Sequence, residues 1–208
     1  MSETVVVFAA GAGTAGISPA ATIIAADAGA EAALALGLHV DIAVGDFDSL
    51  SPDALERLEQ DGARIERHPA AKDATDLELA LDEAVALAPT RVLVVGGSAG
   101  RLDHLLGILV LLGARKYAGA EVDARLGAAT VHVLRGERTI AGTPGETVSL
   151  FALHGPAVGV RTGGLVYPLA GETLDAGTSR GCSNAFAEAT ATIAVESGVV
   201  LAVRPGSA

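Results

Sequence analysis

The chain has 208 residues, 50% of them hydrophobic and 19% charged, with a formal net charge of −11. That composition excludes an intrinsically disordered chain, and the acidic balance excludes a nucleic-acid or anionic-membrane partner, since both need a basic face. A single cysteine, Cys182, leaves no intrachain disulfide and no multi-thiolate metal site.

The start, Met1-Ser2-Glu3-Thr4, lacks the positive region of a signal peptide, and the most apolar run, residues 105–114, falls well short of the ~20 residues a membrane span needs. A cytoplasmic protein is expected. Residues 4–9 form a β-branched run of the kind that makes a buried parallel strand. Gly11 to Gly16 then spell G-x-G-x-x-G, but Pro19 and a second strand at 22–26 follow too closely for the helix a dinucleotide fingerprint must open. That stretch is read as a glycine turn. The second strand delivers Asp27, and residues 29–36 read as a short alanine-rich helix.

A third strand at 40–44 runs into Gly45-Asp46-Phe47-Asp48-Ser49. If the segment stays extended, Asp46 and Asp48 project to one side while Phe47 turns to the core. Two neighbouring carboxylates repel each other unless a cation lies between them, and Mg²⁺ is the hard ion that takes carboxylate and phosphate oxygens together. The next helix, Pro52 to Gln60, has Ser51 at its N-cap and proline at its first position, and Gly62 stops it. A fourth strand is expected at 64–67.

Lys72-Asp73-Ala74-Thr75-Asp76-Leu77-Glu78 leads into a helix reaching about residue 88, with Thr75 and Glu78 as a capping box and Leu77, Ala80, Leu81, Ala84 and Ala88 as its apolar stripe. Asp76 falls in the first turn, where the helix dipole alone would favour an acid; Asp73 lies outside it. A fifth strand at 91–95 precedes Gly96 to His104, whose three glycines in five residues admit close approach of a ligand and whose Arg101 is a planar partner for phosphate. The helix at 102–112 is apolar nearly all round and is expected to be buried, with His104 structural.

From residue 122 short β-rich runs (122–126, 130–134, 147–153, 158–161, 190–195 and 199–203) alternate with Gly and Pro turns. The expected architecture is a Rossmann-like, mostly parallel α/β domain over residues 1–134, followed by a β-sandwich or barrel over 135–208. Asp27, Asp46, Asp48, Asp73, Asp76, Arg101 and Asp103 would all follow carboxyl ends of strands, where open α/β sheets bind ligands. Acids after several strands together with an arginine suit a metal-bound phosphate compound.

Four motifs in order, GDFDS (45–49), KDATD (72–76), GGSAGRLDH (96–104) and SRGCSNAF (179–186), resemble those of the thiamine pyrophosphokinase family. The likeness runs over essentially the whole chain. It implies an ATP:thiamine diphosphotransferase that makes thiamine diphosphate and AMP, uses Mg²⁺, and works as a homodimer with sites between subunits. On that resemblance Asp46, Asp48 and Asp76 are the metal-binding and catalytic carboxylates, with Arg101 beside them. Asp27, Asp73, Thr75, Arg101 and Asp103 would contact ATP, and Ser183 and Asn184 would contact thiamine.

The sequence departs from the family at Asp27-Ala28-Gly29, where Asp-Gly-Gly is frequent, and in having no Trp. Phe186 and Tyr167 are the candidates for a ring that stacks on the thiamine pyrimidine. The alternatives are a diphosphokinase of the same fold acting on another alcohol, such as a hydroxymethylpterin, and a non-catalytic nucleotide or thiamine sensor.

Overall fold

The computed structural model describes residues 3–11, 17–18, 20–96 and 101–206. The chain divides into two compact units, one made of Met1–Ile108 with Gly119–Gly127 and the other of Leu109–Ala118 with Ala128–Ala208. The sequence reading sets the change at residue 134. The structure draws the line between Gly127 and Ala128, several residues earlier, because residues 121–126 pair with the fifth strand of the first unit whereas residues 130–141 pair with the last strand of the second.

In the first unit the strands are β1 (Thr4–Phe8), β2 (Thr22–Ala26), β3 (Ile42–Gly45), β4 (Arg64–Arg67), β5 (Arg91–Gly96) and β6 (Glu121–Leu126). Their order is β6-β5-β1-β2-β3-β4, and every pairing is parallel. The helical crossovers α1 (Gly29–Ala35), α2 (Pro52–Gln60) and α3 (Asp76–Ala86) return the chain in the same strand direction each time, so that β2 to β5 run parallel. Val6 and Phe8 of β1 share one cluster with Ala30, Ala33 and Leu34 of α1 and Ala54 and Leu58 of α2. The alternate residues Val5 and Val7 are also buried, and α3 lies against β1, β2 and β3 through Leu77, Ala80, Leu81 and Ala84. A sheet covered on both faces explains why its inner strands β1, β2, β3 and β5 read as apolar runs.

Ser51 stands at the N-cap of α2, yet its side chain makes no capping bond; its N–H donates to Glu31 Oε1 at 3.0 Å. Thr75 does cap α3, accepting the Glu78 N–H at 3.2 Å. The helix α4 (Leu102–Leu112) corrects an expectation. Of its residues only Leu112 is buried, and Leu102, Leu106 and Val110 are 77%, 60% and 42% exposed at a spacing of four. Uniform apolarity marks a helix with no preferred wet face; it does not say what covers it.

The second unit holds β7 (Ala129–Ala141), β8 (Thr147–Ala152), β9 (Ala157–Gly163), β10 (Ala170–Leu174), β11 (Asn184–Ala185) and β12 (Thr190–Arg204). All pairings are antiparallel, in the order β10-β9-β12-β7, with β8 joined to β12 and β11. The two sequence runs at 190–195 and 199–203 are one strand. A register shift between Val195 and Val200 absorbs the turn-like Glu-Ser-Gly, with Gly198 at φ +94°, where a Cβ would lie 2.5 Å from Pro156 O. The core is formed by Leu134, Ile140, Leu150, Val160, Phe186, Ile193 and their neighbours. Among the described residues no helix is long and apolar enough to cross a membrane.

Candidate active site

β2 and β3 are adjacent and parallel, so the residues that follow them emerge side by side. Asp27 donates its N–H to Val44 O at 2.9 Å, and a Cβ at Gly45 would stand 3.2 Å from Asp27 Cβ. Glycine at 45 therefore lets the end of β3 lie close against Asp27. Beyond it Phe47 is buried with φ +61°, so the chain turns through Asp46-Phe47-Asp48 instead of staying extended. The i, i+2 geometry expected for the two acids is corrected accordingly. Phe47 does face the core, the Arg67 guanidinium lies 5.2 Å from its ring centroid, and Asp48 donates its backbone N–H to Asp46 Oδ1 at 3.2 Å.

The carboxylates that converge are Asp27, Asp46 and Asp76, each offering one oxygen within 4.8 Å of the others. Asp48 is exposed, and its carboxylate lies outside that trio among the described residues. Asp27 Oδ2 accepts the Ser49 hydroxyl, whereas Asp27 Oδ1 and Asp76 Oδ1 are buried without a hydrogen-bond partner. The Lys72 ammonium lies 2.9 Å from Asp76 Oδ1, off the hydrogen-bonding direction, and 3.4 Å from Asp46 Oδ2.

The electrostatics follow this geometry. The Asp48 amide holds the Asp46 carboxyl below its ordinary value, with Lys72 assisting against the opposing effect of burial. The charge on Asp46 pushes Asp48 up, and burial, Asp27 and Asp76 add to the rise. Lys72 is held above the usual lysine range, first by its contact with Asp76. Three carboxylates that each offer an oxygen within 4.8 Å of the others, with Asp27 Oδ1 buried and unpartnered, are the donor set a hard divalent cation takes, so Mg²⁺ fits here.

The remaining candidates are placed differently. Asp73 is exposed, and Thr75 uses its hydroxyl oxygen on the α3 cap. Arg101 grips Asp103 with two bonds, Nε to Oδ1 at 3.2 Å and a terminal nitrogen to Oδ2 at 2.6 Å, which holds Asp103 down at about 2. Residues 12–16 of the first glycine stretch and 97–100 of the second lie outside the described residues. The sequence reading does not single out Lys72 as a site residue, although its spacing of four from Asp76 is the signal of an intrahelical-type ion pair.

In the second unit Asn184 is buried and its amide is committed to backbone. Oδ1 accepts the N–H of Tyr167 at 3.0 Å and of Ala185 at 2.9 Å, and Nδ2 donates to Tyr167 O at 2.7 Å. Ser183, at φ +58°, is exposed and donates its N–H to Ser149 Oγ at 3.0 Å. Phe186 is 1% exposed, so it is a core residue, while Tyr167 is 67% exposed.

Residues 16–122 match the family model "Thiamin pyrophosphokinase, catalytic domain", and residues 130–200 match "Thiamin pyrophosphokinase, vitamin B1 binding domain". The chain belongs to the thiamin pyrophosphokinase family. A thiamine pyrophosphokinase of Bacillus subtilis (strain 168) is 35% identical over 103 residues, a stretch that spans 50% of this chain and 46% of that relative, so the match covers about half the length of each. Among solved thiamin pyrophosphokinase structures, one from Bacillus subtilis has a TM-score of 0.81 at 23% identity over 99% of this chain and 100% of that one. A family protein from Enterococcus faecalis has 0.82 at 24% over the whole of both. The yeast thiamin pyrophosphokinase has 0.71 at 13% identity, over 96% of this chain and 85% of its own. These three show the shared fold.

Proposed function

We propose that the chain transfers a diphosphoryl group from ATP to the hydroxyl of thiamine, giving thiamine diphosphate and AMP. The observation that carries this reading is the trio Asp27, Asp46 and Asp76, with Asp27 Oδ1 buried and unpartnered, inside the stretch that matches the family's catalytic-domain model. The first unit would serve ATP and the second thiamine. The oxygen of the alcohol bonds to the β-phosphorus, the bond from that phosphorus to the α,β-bridging oxygen breaks, AMP leaves with the bridging oxygen, and the hydroxyl proton is lost to base.

Asp27, Asp46 and Asp76 would hold Mg²⁺, with Asp48 beside them; bound there, the ion would neutralise polyphosphate charge. Asp46, whose carboxyl the Asp48 amide holds below its ordinary value, is suited to that role. Arg101 would turn from Asp103 to a phosphate, since a guanidinium pairs with either in the same two-point fashion. Asp73 and Thr75 flank the phosphate side from the start of α3. In the second unit Tyr167 would offer its exposed ring to the thiamine pyrimidine, with Asn184 holding its backbone and Ser183 offering a hydroxyl. An exposed aromatic on a clamped backbone presents a flat apolar face at small entropic cost.

The finer architecture is read as Rossmann-like in the first unit, where strand order reverses between β1 and β5, and as a sandwich in the second, where β12 passes from β9 to β8. A homodimer accords with the exposed line Leu102, Leu106 and Val110, and a reducing cytoplasm with the lone Cys182. Incubation with ATP, Mg²⁺ and thiamine should give AMP and thiamine diphosphate in equal amounts. ADP with thiamine monophosphate, or AMP formed with a pterin alcohol but not thiamine, would overturn the assignment.

A further inference from the structure

The Lys72 side chain sits where a cation would meet the acids. It is 13% exposed, follows β4 on a loop whose own N–H donates to Ala70 O at 3.2 Å, and reaches Asp76 Oδ1 at 2.9 Å and Asp46 Oδ2 at 3.4 Å. The two acids it approaches belong to the trio whose members each offer an oxygen within 4.8 Å of the others. A Mg²⁺ ion bonded at its usual ~2.0–2.1 Å would draw these oxygens around a single point, and an ammonium held between two of them leaves no room for that. Two cations that close repel strongly, and the low exposure of the pair limits solvent screening.

The ammonium is also an incomplete partner. It reaches Asp46 and Asp76 but leaves Asp27 Oδ1 with no hydrogen-bond partner. A divalent ion can satisfy all three carboxylates, and a displaced lysine then needs an anion.

We propose that Lys72 is a built-in counter-cation of the Asp27–Asp46–Asp76 cluster, which a divalent metal must displace, so that metal enters efficiently only with a polyphosphate that accepts the released ammonium. The inference rests on the metal-site reading above. It makes Lys72 a positioning residue that sets the order of binding: metal and nucleotide load together, and the free protein keeps the charge of its acids partly offset without drawing divalent ions from solution.

The test is Mn²⁺ affinity without and with a non-hydrolysable ATP analogue, read from the spin-resonance signal of free Mn²⁺. Without nucleotide, Lys72→Met should bind Mn²⁺ at least about tenfold more tightly than the wild-type chain, and Lys72→Arg should resemble wild type. With the analogue present the Met variant should lose its advantage. Equal or weaker Mn²⁺ binding by Lys72→Met, in a protein whose Asp46→Asn variant has lost the ion, would overturn the counter-cation role and leave the metal site standing. If Asp46→Asn retains Mn²⁺, both readings fall together. A second measurement needs no variant: at Mn²⁺ concentrations that the spin-resonance signal shows to fill the nucleotide-free wild-type site, amine-directed acetylation of Lys72, mapped by mass spectrometry, should increase. An unchanged rate would overturn the displacement.

Discussion

Asn184 holds the backbone of Tyr167 at both its polar atoms, accepting the N–H at 3.0 Å and donating to the carbonyl at 2.7 Å. The amide that a motif reading assigns to a ligand is thus committed to fixing where an exposed ring stands. Asn184→Ala would leave that backbone without its partners at a cost of ~1–3 kcal/mol, measurable as a lower midpoint of chemical unfolding. Its KM for thiamine should rise while its KM for ATP stays within about twofold. Tyr167→Phe should retain thiamine binding and Tyr167→Ala should lose it, with neither variant altering the unfolding midpoint as much as Asn184→Ala.

The acids are placed differently. Asp46→Asn and Asp76→Asn each remove a member of the converging trio and should lower turnover by more than about a hundredfold with an unchanged circular dichroism spectrum. Asp48→Asn should lower it less, because Asp48 serves Asp46 through its backbone N–H, which asparagine keeps. Steady-state rates for the three variants, measured under saturating Mg²⁺, check the ranking.

Acid should loosen the second unit through Glu146. Two bonds from Arg204, at 2.7 and 3.1 Å, hold the Glu146 carboxyl below its ordinary value, and the Thr143 N–H adds a third at 3.0 Å. A carboxyl whose folded value is depressed contributes stability above its unfolded value, near 4.3, and that contribution is lost as pH falls through the folded value. Glu146→Gln should therefore cost about 1 kcal/mol at pH 7, and the gap between variant and wild type should close progressively below about pH 4. Urea denaturation at several pH values measures it.

The exposed line on α4 bears on assembly. Wild-type chain at micromolar concentration should sediment as a dimer, and Leu106→Asp should sediment as a monomer with unchanged secondary structure, because a charge set into a shared apolar face costs association while costing the exposed helix little. A monomeric wild-type chain would remove the dimer.

Much of this protein is local and therefore legible in its residues. Pro52 at the first position of α2, Thr75 capping α3, and the β-branched runs of β1, β2, β3 and β5 are set by backbone and side-chain preferences that act over a few residues, and the structure has these elements within about two residues of where the sequence places them. Parallel pairing followed from alternation of strand and helix. What tertiary structure alone decided is non-local. Asp27 joins Asp46 because β2 and β3 are adjacent, in register, and close enough at Gly45 for the two strand ends to touch. Asp48 leaves the trio because burying Phe47 forces a positive φ that turns its neighbour away. Lys72 enters the site because the α3 start sets Asp76 beside Asp46 from another part of the chain. Periodicity reports which side of an element is apolar. Which carboxylates share a cation depends on strand order and register, and those are fixed only when the whole sheet closes its hydrogen bonds.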